Sequence, residues 1–342
     1  MVPENMRPMV AKIDRRSILA SLTSVLVIAC SRPGVGREEA ADSFWTVFRN
    51  AFVDASGRVV DSGNGGISHS EGQGYGLLLA VLAGDRRAFQ SILDWTEANL
   101  ARQDTALFTW KYDPRGGDPV SDPNNATDGD LLIGWALAQA AQRWDGQVWA
   151  ARSGAIRAAI RAQLVIKRHD RHLLLPGRIG FSGADVVTLN PSYFIWPALD
   201  AFAALDGDAV WGPVISDAEA IVREAGFGAS RLPCDWIEIG TDGKVVPSRS
   251  HPPRFGYDAI RIPLYAMAGR RASLVQPVAD FWRAAGDHPP AWIDVTNGAR
   301  APYPLSAGGM AIVRRTLGQP PAPEALDTDY FSAALQALTR AL

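Results

Sequence analysis

The chain has 342 residues, enough for one large domain or two ordinary ones. Hydrophobic residues make up 47% and charged residues 20%, the balance of an ordinary soluble globular protein. A net charge of −2 leaves no basic excess for a phosphate polymer, so nucleic acid is excluded as the expected main partner.

The N-terminus reads as an address. Lys12, Arg15 and Arg16 precede an uncharged, mostly apolar run over residues 17–29, too short to span a bilayer but right for a signal-peptide core. Val27-Ile28-Ala29-Cys30 resembles a lipoprotein signal box, in which Cys30 becomes the lipidated first residue. Plain cleavage near Ala29 with Cys30 incidental is the alternative, and Arg15-Arg16 also fits a twin-arginine pattern. Residues 1–29 are therefore expected to be a signal peptide and 30–37 a short tether. The expected location is the periplasm, the outer membrane through a lipid anchor at Cys30, or the medium. Removing four basic and two acidic residues with the leader leaves a net charge of −4. Cys234 is the only other cysteine, so no disulfide staples the fold and a large core in one domain, 38–342, is expected.

From residue 38 onward the dominant periodicity is helical. Helices are predicted near 40–52, 71–83, 86–100, 129–143, 148–166, 191–204, 217–225, 258–268, 275–285, 305–316 and 330–342. Ile237-Glu238-Ile239 and Lys244-Val245-Val246 flank Gly240-Thr241-Asp242-Gly243, a hairpin pattern. No repeat of solenoid length and no alternation of strand and helix is visible. About eleven helices joined by loops of varied length suit an all-α barrel of paired helices with its functional loops at one end.

Three acidic motifs lie at loop-to-helix junctions. In Ser68-His69-Ser70-Glu71-Gly72-Gln73-Gly74-Tyr75-Gly76, Ser70 reads as an N-cap and Glu71 as a first-turn acid favoured by the helix dipole. That dipole favours an ionised carboxylate, so a general acid here would need burial or a second carboxylate close by. Asn124-Asn125-Ala126-Thr127-Asp128-Gly129-Asp130 supplies a candidate; its two acids do not share a helix face, so one of them is expected to point at a given site. Pro252-Pro253-Arg254-Phe255-Gly256-Tyr257-Asp258-Ala259-Ile260-Arg261 is the third, with Arg261 spaced to pair with Asp258.

Other chemistries fit poorly. His169 and His172 sit among Lys167, Arg168 and Arg171, which repel a metal, and no His-Glu-x-x-His pattern occurs. Asp122, Asn124, Asp128 and Asp130 depart from an EF-hand loop and lack its terminal Glu. There is no Gly-x-Ser-x-Gly elbow and no phosphate loop, and Cys234 reads as a small hydrophobe.

The strings Gly65-Gly66-Ile67-Ser68-His69-Ser70-Glu71-Gly72-Gln73-Gly74-Tyr75-Gly76, Asn125-Ala126-Thr127-Asp128-Gly129-Asp130 and Tyr257-Asp258-Ala259-Ile260-Arg261 closely resemble glycoside hydrolase family 8. The likeness is nearest to the endoglucanases that accompany bacterial cellulose synthase. It extends through Arg58-Val59-Val60-Asp61, Leu175-Pro176-Gly177, Asn190-Pro191-Ser192-Tyr193 and Ala299-Arg300-Ala301-Pro302-Tyr303, about residues 40 to 340. The resemblance implies an (α/α)6 barrel with an open cleft, a β-1,4-glucan substrate, inversion at the anomeric carbon, and neither metal nor cofactor. It implies Glu71 as general acid, Asp258 as the base that activates water, and Asp128 as the residue that binds the sugar and helps hold the Glu71 proton. An inverting pair should stand roughly 6.5–9.5 Å apart to admit the water. Tyr193, Tyr257 and Arg261 are the next candidates for substrate binding, with Trp110, Trp135 and Trp236 as stacking candidates. A xylan or chitosan substrate on the same fold, or a non-catalytic glycan-binding protein of the cellulose-export assembly, are the competing expectations.

Overall fold

The structure, a computed structural model, describes residues 35–321 and 325–342, with side chains from residue 44 onward. The signal-peptide and lipid-anchor expectations for residues 1–30 lie outside the described residues. Eleven α-helices are present among the described residues. They are α1 (Val35–Phe52), α2 (Ser70–Ala83), α3 (Arg86–Asn99), α4 (Thr127–Trp144), α5 (Gln147–Gln163) and α6 (Trp196–Asp206). The rest are α7 (Asp208–Glu224), α8 (Arg261–Ala268), α9 (Gln276–Ala285), α10 (Ala307–Thr316) and α11 (Tyr330–Ala341).

The order of packing makes a barrel. Helices α2, α4, α6, α8, α10 and α11 touch one another in that order, and α11 closes the ring on α2. Helices α1, α3, α5, α7 and α9 pack outside it, each against ring members or the short segments beside them. Sequence explains the division. Helix α2 is apolar on nearly every side and buries all but three of its residues, as a ring helix must. Helix α3 carries a one-sided stripe and buries only Phe89, Ile92, Leu93 and Thr96. One continuous core runs from Trp45 to Leu338. Six of the eleven tryptophans are buried in it and the other five are half-buried. The fold is the (α/α)6 barrel.

Several segments depart from the periodicity, among them the helix expected from 191, whose α-helical part starts only at Trp196; three have a local reason. The first helix starts at Val35 and so takes in the last residues assigned to the tether; the Glu-Glu-Ala-Ala run has the propensity to carry it back. Helix α7 starts at Asp208 although Pro213 lies inside it. Trp211, fully buried with its indole N–H on Asp206 at 2.9 Å, anchors that early turn against the lost backbone bond. Residues 165–166, expected in a helix, begin β3 (Val165–Arg168), which pairs antiparallel with β4 (Arg171–Leu174). His169 and Asp170 both adopt positive φ, 52° and 56°, as a two-residue hairpin turn requires.

The remaining strands are short and belong to the loops. Strands β1 (Ser68–His69) and β2 (Lys111–Tyr112) pair, as do β8 (Arg254–Phe255) and β9 (Ile293–Asp294). Strand β5 (Val186–Leu189) joins the expected hairpin β6 (Ile237–Gly240) and β7 (Val245–Pro247), whose register sets Glu238 opposite Val246.

Candidate active site

The acidic motifs converge where ring helices begin. Helix α2 starts directly from β1, because the Ser70 N–H donates to the Trp110 carbonyl beside β2 at 2.9 Å. The cap is not Ser70, as the sequence suggested, but His69, whose Nδ1 accepts the Gly72 N–H at 3.0 Å. Ser70 is held in the strand-to-helix crossover, so it becomes the first helical residue. Glu71 follows with a side chain 15% exposed. Its Oε1 accepts the Tyr75 hydroxyl at 2.7 Å and contacts the Arg261 guanidinium, while Oε2 lies 4.0 Å from His69 Nδ1.

Asp128 approaches from α4, whose start is tied down by Thr127: its N–H reaches Pro176 O at 2.8 Å and its hydroxyl Leu175 O at 2.6 Å. The approach depends on Gly129, since a Cβ there would sit 2.1 Å from Ser70 Oγ and 2.8 Å from Glu71 N. Asp128 is 3% exposed and accepts the Gly129 N–H at 2.8 Å and the Tyr193 hydroxyl. Burial, reinforced by the Asp258 charge, pushes its carboxyl up to about 7 against those hydrogen bonds. Asp130 turns away, as two acids two residues apart must. It is fully buried and accepts Phe108 N–H at 2.9 Å and Asn125 Nδ2 at 2.7 Å, so it organises the loop. Asp122 serves Trp110 Nε1 at 2.7 Å, so these oxygen donors do not converge.

Asp258 was expected to open a helix, but α8 begins only at Arg261 and Asp258 sits in the turn before it. Its Oδ1 takes Arg261 Nη2 at 2.7 Å and its Oδ2 takes Asn190 Nδ2 at 3.1 Å, and the Trp236 indole also donates to it. Burial pushes this carboxyl up to about 6, and the donors from Asn190 and Trp236 oppose the rise. Arg261 Nη1 lies 3.6 Å from Asp128 Oδ2, so one guanidinium touches Glu71, Asp128 and Asp258.

Other expected residues resolve unequally. Arg261 is 3% exposed and its donors are taken up by the carboxylates and Ser192 Oγ, so it is a buried counter-charge rather than a surface for sugar. Trp135 is 5% exposed, two turns below Asp128 in the core, and offers no stacking face. Trp236 stacks on Phe181 (5.8 Å between centroids) and on His251 (4.6 Å), besides donating to Asp258. Tyr193 is half-buried against Trp236, and Trp110 is half-buried beside the start of α2. Tyr257 is 55% exposed, with its hydroxyl 3.2 Å from that of Tyr303.

Some participants escaped the sequence reading. Tyr75 stands four residues after Glu71, the spacing of one helix face, and that signal was readable. Asn190 lies in the Asn-Pro-Ser-Tyr motif, where its Oδ1 caps a short 3₁₀ turn and its Nδ2 is free to reach Asp258. Asp235 gave no local signal; the N–H groups that its Oδ1 accepts are more than twenty residues away. Beside it, the Cys234 thiol is pushed up to about 12 by burial, as suits a small hydrophobe.

Comparison with known proteins places the chain in a family. The family model for glycosyl hydrolases family 8 matches residues 23–341. An endoglucanase of Cellulomonas uda is 40% identical over 286 residues, covering 82% of this chain and 79% of its own. A probable endoglucanase of Novacetimonas hansenii is 39% identical over 333 residues, covering 94% of this chain and 96% of its own. The crystal structure of a family 8 endoglucanase from Klebsiella pneumoniae superposes with a TM-score of 0.84 at 39% identity, covering 87% of this chain and 97% of that one. With the ring of helices and the carboxylates at one end of it, these matches lead to one conclusion: the chain belongs to family 8 of the glycosyl hydrolases.

Proposed function

We propose that this hydrolase is an endo-β-1,4-glucanase cleaving cellulose or cello-oligosaccharides with inversion at the anomeric carbon. The observation that carries the reading is the gathering of Glu71, Asp128 and Asp258 on the Arg261 guanidinium. The names of the relatives, endoglucanases, support the substrate class. In this reading Glu71 gives its proton to the glycosidic oxygen as the C1–O bond breaks. Its Oε1 is engaged by Tyr75 and Arg261, which leaves Oε2 to carry the proton. Asp258 takes a proton from water as that water bonds to C1 from the opposite face. Asp128, oriented by Tyr193, holds the sugar between them. A pure glycan binder has no use for an acid and a base across one bond, which counts against the non-catalytic alternative.

Export through the 1–29 leader and work beside a cellulose synthase belong to the same proposal, supported by the leader pattern and the resemblance. The test is reducing-sugar release from carboxymethylcellulose, xylan, lichenan and chitosan, with NMR reading the anomer first formed. Activity greatest on carboxymethylcellulose with the α-anomer appearing first is expected; a β-anomer first would overturn the inverting roles. Glu71→Gln and Asp258→Asn should each lose at least ~10²-fold in turnover, the range general acid–base groups supply. Near wild-type turnover in either would refute that residue's role.

A further inference from the structure

The turn that carries Asp258 has little regular structure to hold it. Residues 257–260 precede α8, and Asp258 is followed by Ala259, whose N–H finds its partner outside the turn. That partner is Asp235. Its Oδ1 accepts the N–H of Gly256 at 3.0 Å and of Ala259 at 2.8 Å, one on each side of Asp258. The Asp235 N–H in turn donates to Arg254 O at 2.7 Å, zipping the segment to β8. The next residue, Trp236, donates its indole N–H to the Asp258 carboxyl itself. We propose that Asp235 is the positioning residue of the base: it clamps the backbone on both sides of Asp258 and so aims the carboxylate that takes the proton from water. This rests on the reading of Asp258 as base.

Two observations point beyond ordinary loop stability. The same carboxyl also takes the N–H of Asp258 itself, so it holds the turn at the base although a second enclosed acid there is unfavourable on both desolvation and like-charge grounds. Burial, with the Asp258 charge second, pushes Asp235 up to about 7. The turn is also shaped around this carboxylate: a Cβ on Gly256 would lie 2.7 Å from Asp235 Oδ2, so any side chain there would press on the clamp. A misplacement of about 1 Å in a reacting group can cost ~10²-fold in rate, so a clamp on the base acts on turnover more than on binding.

The experiment compares Asp235→Ala, Asp235→Asn, Gly256→Ala and the Asp235→Ala/Gly256→Ala double variant in the full chain, with melting temperature, kcat and KM on a soluble cello-oligosaccharide. Asp235→Ala is expected to lose about 10²-fold in kcat with KM within about twofold of wild type. Asp235→Asn, which keeps the Oδ1 acceptor, should recover to within about tenfold of wild type. Gly256→Ala should lower kcat alone and add little to Asp235→Ala, because both break the same clamp. Should Asp235→Ala not fold, the Asn and Gly256 variants carry the test. A folded Asp235→Ala with wild-type kcat, a loss confined to KM, an Asn variant as impaired as the Ala one, or additive losses in the double variant would each overturn the proposal. Asp258→Asn is assayed in parallel: if it retains turnover, the base assignment itself fails, whatever Asp235 does.

Discussion

Arg261 Nη2 lies 2.7 Å from Asp258 Oδ1, three residues earlier in the chain. At a surface such a pair would contribute only a few tenths of a kcal/mol. Here the arginine is 3% exposed and the same guanidinium also faces Glu71 and Asp128, so its charge offsets a cluster of enclosed carboxylates. Arginine suits the place because it stays protonated even when desolvation works against it.

Replacing Arg261 by Met should therefore strand three carboxylates. Breaking a buried pair from one side costs roughly 3–5 kcal/mol. The expected outcome in thermal and denaturant unfolding is a loss of that order, with turnover reduced at least ~10²-fold even in protein that remains folded. A Met variant with unchanged melting temperature would contradict the counter-charge role.

The base must be ionised to accept a proton, so kcat/KM should fall as pH drops through about 6, the value to which burial pushes Asp258. Trp236 opposes that rise by donating to the ionised carboxyl. Trp236→Phe keeps a ring against Phe181 and His251 but removes the N–H, so the acidic limb of the profile should move to higher pH. A pH–rate series decides it; an unmoved limb, or one shifted downward, would count against the bond.

Stability should depend on pH in a related way. Burial raises Asp128, Asp130 and Asp235 to about 7 and Asp258 to about 6, so between pH ~4 and ~7 the folded chain keeps protons that the unfolded chain has released. Their contribution is full below about pH 4 and lost as pH rises through about 7. His251, lowered by burial, works in the opposite sense, losing stability as pH falls, but it is one group against four. At the acid end Asp104, drawn to about 2 by Arg178 and Arg102, loses its contribution as pH falls through that value. Calorimetry should find a higher melting temperature near pH ~5.5 than near pH ~8. The reverse order would show that the enclosed carboxylates do not govern the balance.

Gly129 is the contact on which the two helix starts close. A methyl group there would meet Ser70 Oγ at 2.1 Å, Ser70 Cβ at 2.6 Å and the Glu71 backbone nitrogen at 2.8 Å. Gly129→Ala should lose about 1–3 kcal/mol from overpacking and separate Asp128 from Glu71, lowering turnover more than KM. Unfolding curves together with steady-state kinetics test both parts.

The sequence by itself determined most of the helices, because the apolar residues a helix must bury are written along the chain, as a one-sided stripe in α3 and on nearly every side in α2. It also marked Glu71, Asp128 and Asp258, since each stands in a motif of glycines and hydroxyl residues at a helix start. Local pattern could not say that Asp258 would lie in a turn, that His69 rather than Ser70 would cap α2, or that Arg261 and Trp135 would face inward. Those outcomes were decided by the tertiary structure. The Ser70 N–H is claimed by Trp110, forty residues on, and Arg261 is drawn in by carboxylates from two other junctions. Asp235 is the clearest case: the N–H groups that its Oδ1 accepts lie 21 and 24 residues away, and no periodicity links an acceptor to a turn at that separation. Burial and charge pairing act on whatever the fold brings within reach, and only the closed ring of helices settles which residues those are.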